Sequence, residues 1–202
     1  MKRFFILVAI VFAIFSLKAQ LEKYSDFITS SGNFEYVGEI KSSGSKEALQ
    51  NKVKEWFMTS YTNYSKDAMI DGDIEQGSFT IRGTFQSKQT YNPFAGYYQE
   101  NTTYLFKVNV EENLISFKIF GAKITSTYVG WGANKNSWDL SEVVQNLLKA
   151  QDTLNELEKN KKSSGKEKKE QKEIIKDETE RLDSIIPTLK GIISSFERSM
   201  RN

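Results

Sequence analysis

The chain has 202 residues, with 28 Lys and Arg against 26 Asp and Glu, no cysteine and no histidine. The missing imidazole removes Ser-His and Cys-His nucleophile pairs, histidine zinc ligands and the usual general base at neutral pH. The missing thiol removes disulfides, and a charge this close to balance gives a nucleic-acid partner no support.

The first twenty residues read MKRFFILVAIVFAIFSLKAQ: Lys2 and Arg3, an apolar run from Phe4 to Phe15, then Leu17, Lys18 and Ala19. A bilayer core needs about 20 helical residues, so the run is short for a span and fits a secretory signal peptide, residues 1–19, cleaved after Ala19. Lys2, Arg3 and Lys18 leave with it, and 28 basic residues become 25 against 26 acidic ones. No cysteine follows the run to carry a lipid. The expectation is an exported protein, periplasmic or extracellular, soluble after cleavage and meeting a membrane only through its signal peptide.

A polar lead, residues 20–33, comes next. In NFEYVGEIK, Phe34, Tyr36, Gly38 and Ile40 alternate with Glu35, Val37, Glu39 and Lys41, the period of a half-buried strand. SSGSKEALQNKVKEWFMTSY then sets Leu49, Val53, Trp56, Phe57 and Tyr61 on one helix face, with Ser43 or Ser45 as N-cap and Glu47 in the first turn. AMIDGDIE and GSFTIRGTF form a hairpin turning at Gln76 and Gly77, with Phe79, Ile81, Gly83 and Phe85 sharing a face. TYLFKVNVEENLISFKIF repeats the device: Tyr104, Phe106, Val108 and Val110, a turn near Glu112 and Asn113, then Ile115, Phe117 and Ile119. The order β-α-β-β-β-β predicts an α+β fold with one antiparallel sheet, one face wet and the other covered by helices.

ITSTYVGWGANKNSWDL reads as a connection, with Ser137 or Asp139 opening the next helix. Leu140, Val144, Leu147, Gln151 and Leu154 keep a 4,3,4,3 spacing, widened by Val143, Leu148 and Leu157. NKKSSGKEKKEQK is a lysine-rich break, expected as a solvated turn or frayed helix. From Ile175 the spacing resumes through Leu182, Ile185, Leu189, Ile192 and Phe196, passing Pro187, which should kink the helix or begin a new one. The expected organisation is an α+β domain over residues 34–150, followed by a lysine-rich helical hairpin extension over 151–202. The apolar stripes of residues 140–157 and 175–196 would then be available to a second copy of the chain.

GSKEALQNKVKEWFMTSY, DGDIEQGSFTIRGTF and TTYLFKVNVEENLISFKI together resemble the domain of unknown function numbered 4468, found in exported proteins of Bacteroidota, over about residues 34 to 121. The resemblance implies a fold like that of the TATA-box-binding protein, β-α-β-β-β-β-α. It brings no functional residue with it, because the matching pattern is an aromatic helix, an acidic turn, a glycine-broken strand and a hairpin. The DNA-binding use of the namesake fold does not follow, since fold is not function.

Chemistry-bearing patterns are few. Asp71, Asp73 and Glu75 line up as oxygen ligands for Ca²⁺ would, yet lack the spaced loop of an EF-hand, and the solvent face of a strand accounts for them. As an acid/base pair they would stand about 7 Å apart along a strand, with no pocket implied. Ser43 with Lys46, and Ser163 with Lys166, match S-x-x-K without its companion elements, and helix capping or turn chemistry explains both. No G-K-[ST] follows the glycines of YVGWGANKN. Asp152-Thr153-Leu154 and Asp183-Ser184-Ile185 resemble a short O-glycosylation motif of exported Bacteroidota proteins. No metal, cofactor or catalytic residue is expected, and an enzyme working by carboxylates alone is the remote rival.

The aromatic stretch QTYNPFAGYYQENTTYLF is the remaining signal. Pro93 and Gly96 predict a loop over residues 90 to 100, leaving Tyr91, Phe94, Tyr97 and Tyr98 as binding candidates, while Tyr104 and Phe106 belong to a core strand. The competing reading folds Phe94 and one tyrosine back over the sheet edge. A tyrosine-rich loop on a rigid sheet suits a protein, peptide or glycan of the cell envelope. The expected function is thus a non-catalytic binding or interaction module, its rival a scaffold associating through its C-terminal helices.

Overall fold

A computed structural model of the chain describes residues 22–60, 69–73, 75–92, 96–129, 135–160 and 164–201. A single 3-10 turn, Ser25–Phe27, leads into β1 (Tyr36–Lys41), α1 (Lys46–Ser60), β2 (Met69–Asp73), β3 (Ser78–Asn92), β4 (Gly96–Glu111), β5 (Leu114–Val129), β6 (Lys135–Asp139), α2 (Leu140–Lys159) and α3 (Gly165–Arg201). All pairings are antiparallel, in the order β1-β5-β4-β3-β2, and β6 also pairs with β5. One edge of β5 is shared. β1 takes Leu114 to Ile119, and β6 takes Lys123 to Thr127.

Helices cover one face. Phe79, Ile81, Phe106, Val108, Phe117 and Ile119 point into the core from the sheet and are buried. Trp56 and Phe57 of α1 meet them, and Phe196 of α3 sits among them, with ring centroids 4.9 Å from Trp56, 5.1 Å from Phe117 and 5.2 Å from Phe106. The Trp56 indole nitrogen donates to Ser195 Oγ at 3.1 Å, so a ring buried by its size still satisfies its one donor. Ser42 Oγ donates to the Met200 carbonyl at 2.9 Å and ties the end of α3 to the exit of β1.

The lead segment joins the same core. Tyr24, Phe27 and Phe34 are buried, and Tyr24 Oη donates to Asp183 Oδ1 at 2.6 Å while Lys23 Nζ lies 2.8 Å from the same oxygen. Burial, then this bond to a carboxylate, push the Tyr24 phenol well above its ordinary value. Burial works against ionising Asp183, but Lys23 and Tyr24 outweigh it and hold the carboxyl below its usual range.

Four expectations change. The described residues between 90 and 100 are strand and not loop: Thr90 to Asn92 close β3, Gly96 to Glu100 open β4, and the two pair up to Asn92 and Gly96. Hydroxyl and amide side chains are at home on a wet sheet face, so β3 runs on to Asn92. ITSTYV and KNSWD are likewise strands, giving a sixth that the broken alternation at Phe120-Gly121 concealed. Pro187 lies inside one continuous α3. Having no N–H, it cannot donate to the Asp183 carbonyl one turn back, an interior cost of about 3 kcal/mol, which the burial of Leu182, Ile185, Ile186 and Leu189 on both sides of it offsets. The lysine-rich segment begins this helix instead of fraying: Ser164 Oγ accepts from the Glu167 amide at 3.1 Å, and Lys169 with Glu173 and Lys176 with Glu180 form i,i+4 pairs.

The stripes of both C-terminal helices are used within the chain. Leu140, Val144, Leu147 and Leu154 of α2 and Leu182, Ile185, Leu189 and Phe196 of α3 are buried in one cluster with the sheet. Phe196→Ala should therefore lower unfolding stability by about 3–5 kcal/mol, read as a fall in the denaturant midpoint, whereas truncating exposed Arg198 should leave it unchanged. Gly83 lies across from Tyr104, whose ring a Cβ would approach to 2.2 Å. Gly83→Val should then cost about 1–3 kcal/mol by overpacking, while Thr84→Val, on the wet face of the same strand, should not; equal melting temperatures for the two would contradict this packing.

Candidate functional site

Side chains in a sheet alternate between faces, and β4 does so without interruption. Tyr98, Glu100, Thr102, Tyr104 and Phe106 turn toward the helices, and Tyr97, Gln99, Asn101, Thr103 and Leu105 turn outward. Both neighbours break the alternation once. In β3 the register shifts between Gln86 and Lys88, leaving Ser87 as an extra residue whose Oγ donates to the Glu100 carbonyl at 3.2 Å. In β5 it shifts around Gly121, which sits at φ +58, a conformation glycine adopts without a Cβ clash.

A bulge reverses which residues face out. Past Ser87, Gln89 and Tyr91 join Gln86 on the outer face, opposite Gln99, Tyr97 and Asn101. Past Gly121, Thr125 and Thr127 turn outward beside Asn101 and Gln99, while Ile124 and Ser126 turn in. The result is three rows on the outer face: Tyr91 and Tyr97; Gln89, Gln99 and Thr127; Gln86, Asn101 and Thr125.

The four candidate aromatics are therefore divided. Tyr91 and Tyr97 are paired directly, their ring centroids 5.4 Å apart and inclined at 55°, and remain 64% and 44% exposed. Tyr98, one residue further, is on the opposite face. Its hydroxyl donates to the carboxylate of Glu100, and burial followed by that bond push its pKa up to about 12, against smaller opposing effects of Ser126 and Arg181. Glu100 is itself buried, and Thr102 Oγ1 donates to Ser87 Oγ at 3.0 Å beside it. Tyr98 thus belongs to an inner polar layer under α3, where Arg181 stacks over Trp138 at 4.9 Å and pairs with Glu178 at 2.7 Å. Phe94 lies outside the described residues.

The outer rows carry chemistry that residue counts alone did not reveal. Gln99 Nε2 donates to Asn101 Oδ1 at 2.9 Å, and Gln86 Nε2 donates to Gln89 Oε1 at 2.6 Å. Each amide pair holds itself in place and still presents one donor group and one acceptor to solvent. Beside them an open depression of about 360 Å³ is bounded by Arg82, Thr103, Leu105, Gly121 and Lys123. The only available sequence cue was the run of Gln, Asn, Thr and Tyr from 86 to 103, which is meaningful once both bulges are known.

Elsewhere the patterns resolve into structure. Asp71 and Asp73 are exposed at the sheet edge, and Glu75 is in the turn, ion-paired with Lys54. Among the described residues no three carboxylates gather as a metal site would require. Ser45, rather than Ser43, caps α1, accepting from the Ala48 amide at 3.3 Å; Ser163 lies outside the described residues. Thr153 and Ser184 turn their hydroxyls back onto the Lys149 and Arg181 carbonyls at 2.8 and 2.7 Å, within packed helices.

No family model matches the chain, and no curated protein matches it. Among solved structures it is similar to a TBP-like protein from Parabacteroides distasonis ATCC 8503, with a TM-score of 0.54 and 12% identity over 86% of this chain and 96% of that one. A DUF4468 family protein from Bacteroides ovatus ATCC 8483 also matches, with a TM-score of 0.41 and 12% identity over 59% of this chain and 70% of that one. At such identity the likeness is one of fold. The chain has a TBP-like α+β architecture, a single antiparallel sheet with helices over one face.

Proposed function

We propose that this chain is an exported, non-catalytic binding module of the cell envelope, and that it takes its partner on the outer face of the distal sheet. The leader MKRFFILVAIVFAIFSLKAQ supports export. Among the described residues no helix is long and apolar enough to cross a membrane. One observation carries the choice of surface: two bulges, one on each side of β4, bring two tyrosines, four amides and two threonines onto one solvent-facing patch. Bulges cost ladder hydrogen bonds and recur where a strand must re-aim its side chains. Neither tyrosine ring here is needed by the core, and paired exposed aromatics on a rigid frame are effective contacts.

Residues 20 to 202 immobilised as bait should retain material from a solubilised native envelope, and Tyr91→Ser with Tyr97→Ser should lose it while Tyr98→Phe keeps it. Retention by all three proteins alike would remove the outer face as the recognition surface. Loss confined to Tyr98→Phe would move recognition to the inner polar layer.

A further inference from the structure

Resting on that reading, we propose that the ligand of the outer face is an oligosaccharide of uncharged sugar units, stacked on Tyr91 and Tyr97 and hydrogen-bonded by Gln86, Gln89, Gln99 and Asn101. A pyranose ring offers an apolar face of C–H groups and an equatorial rim of adjacent hydroxyls, each both donor and acceptor. The patch is complementary on both counts. Each tyrosine supplies a flat, polarisable ring face with a hydroxyl at its end, the two faces inclined at 55°. The two amide pairs, each joined by one hydrogen bond, retain an NH₂ group and a carbonyl oxygen for a ligand.

Dimensions and charge agree. Rows on one face of a strand recur about every 6.8 Å and strands lie about 4.8 Å apart, so three rows across β3, β4 and β5 span roughly 14 by 10 Å. That accommodates a few sugar units lying flat. None of the eight side chains in the rows is Asp, Glu, Lys or Arg; Lys123 and Lys135 stand at the margin on β5 and β6, and Lys88, between Gln86 and Gln89 on β3, is at an inward-facing register position opposite Glu100. An acidic ligand would find its charge partners off this patch. An extended peptide would pair with a strand edge instead of lying over a face, because its backbone groups need ladder partners.

Native-gel affinity electrophoresis of residues 20 to 202 in gels containing, separately, soluble xylan, mannan, β-glucan, α-glucan or polygalacturonate tests this, with titration calorimetry on any polymer that retards the protein. Retardation by at least one neutral polymer is expected, with affinity falling at least tenfold in Tyr91→Ala and Tyr97→Ala and severalfold in Gln99→Ala and Asn101→Ala. Tyr98→Phe should bind as the parent does, and circular dichroism should show every variant folded. Absence of retardation by all four neutral polymers overturns the proposal. So does retardation by polygalacturonate alone that is abolished by Arg82→Ala, which would place the ligand in the neighbouring depression. If the neutral polymers fail while capture from the envelope remains dependent on Tyr91 and Tyr97, the sugar class falls and the binding surface stands; if neither depends on the tyrosines, both fall.

Discussion

The uninterrupted alternation of β4 is the constraint against which every other side chain in the sheet is placed. β3 and β5 both pair with it along nearly their full length, so whichever of their residues oppose Phe106 and Tyr104 must be apolar or absent, and Gly83 and Ile119 meet that demand. Had β3 and β5 kept the same parity to their distal ends, Tyr91 and Gln89 would have faced the helices and Ile124 the solvent. One added residue in each strand reverses this. The core keeps Ile124, and the polar set goes to water.

The covered face makes the exposed one rigid. Phe196 enters between Trp56, Phe106 and Phe117, so α3 clamps α1 to the middle of the sheet through rings set mostly edge to face. Further along the same helix, Asp183 holds the lead segment through Tyr24 and Lys23, and Arg181 reaches over Trp138 of β6. A helix of 37 residues, about 55 Å at 1.5 Å per residue, thereby touches the lead segment, the middle of the sheet and β6. Lost rotamer freedom is a main cost of binding, and side chains mounted on a sheet braced in this way have less of it to lose.

Much of this was legible in the sequence, and what was not has a common cause. The elements through Ile119, the turns at Gly77 and Asn113 and the helix opening at Asp139 follow from period-two and 3.6-residue patterns with ordinary turn and cap residues. The failures lie where a pattern is interrupted by one residue. Gly121 made KITSTYV resemble a connection, because after a bulge the expected apolar positions hold Lys123 and Thr125 and the apolar Ile124 sits out of phase. Ser87 did the same for QSKQTYN. A new helix at Pro187 and fraying of the lysine run failed for a different reason, since tertiary burial and i,i+4 ion pairs override local propensity. Of the three candidate tyrosines described, Tyr91 and Tyr97 are exposed and Tyr98 turns inward, so adjacency in sequence gave Tyr97 and Tyr98 a false partnership. In a strand, neighbours face apart.

The bulge at Ser87 also bears on how this sheet is recognised. β2 pairs with β3 only as far as Ile81, so among the described residues no strand lies along the edge of β3 away from β4 between Arg82 and Asn92. A flat edge of that length invites another strand, and proteins blunt such edges with charge and irregularity. Arg82 and Lys88 provide charge along this edge, and Ser87 breaks its regular spacing while its hydroxyl occupies the Glu100 carbonyl. The same extra residue that turns Gln89 and Tyr91 toward the outer face therefore makes the adjoining edge a poor template for strand addition. Recognition by the face and discouragement of pairing at the edge come from one local distortion, which is why the distal hairpin can be long, exposed and rich in tyrosine and glutamine without being a ready site for another strand.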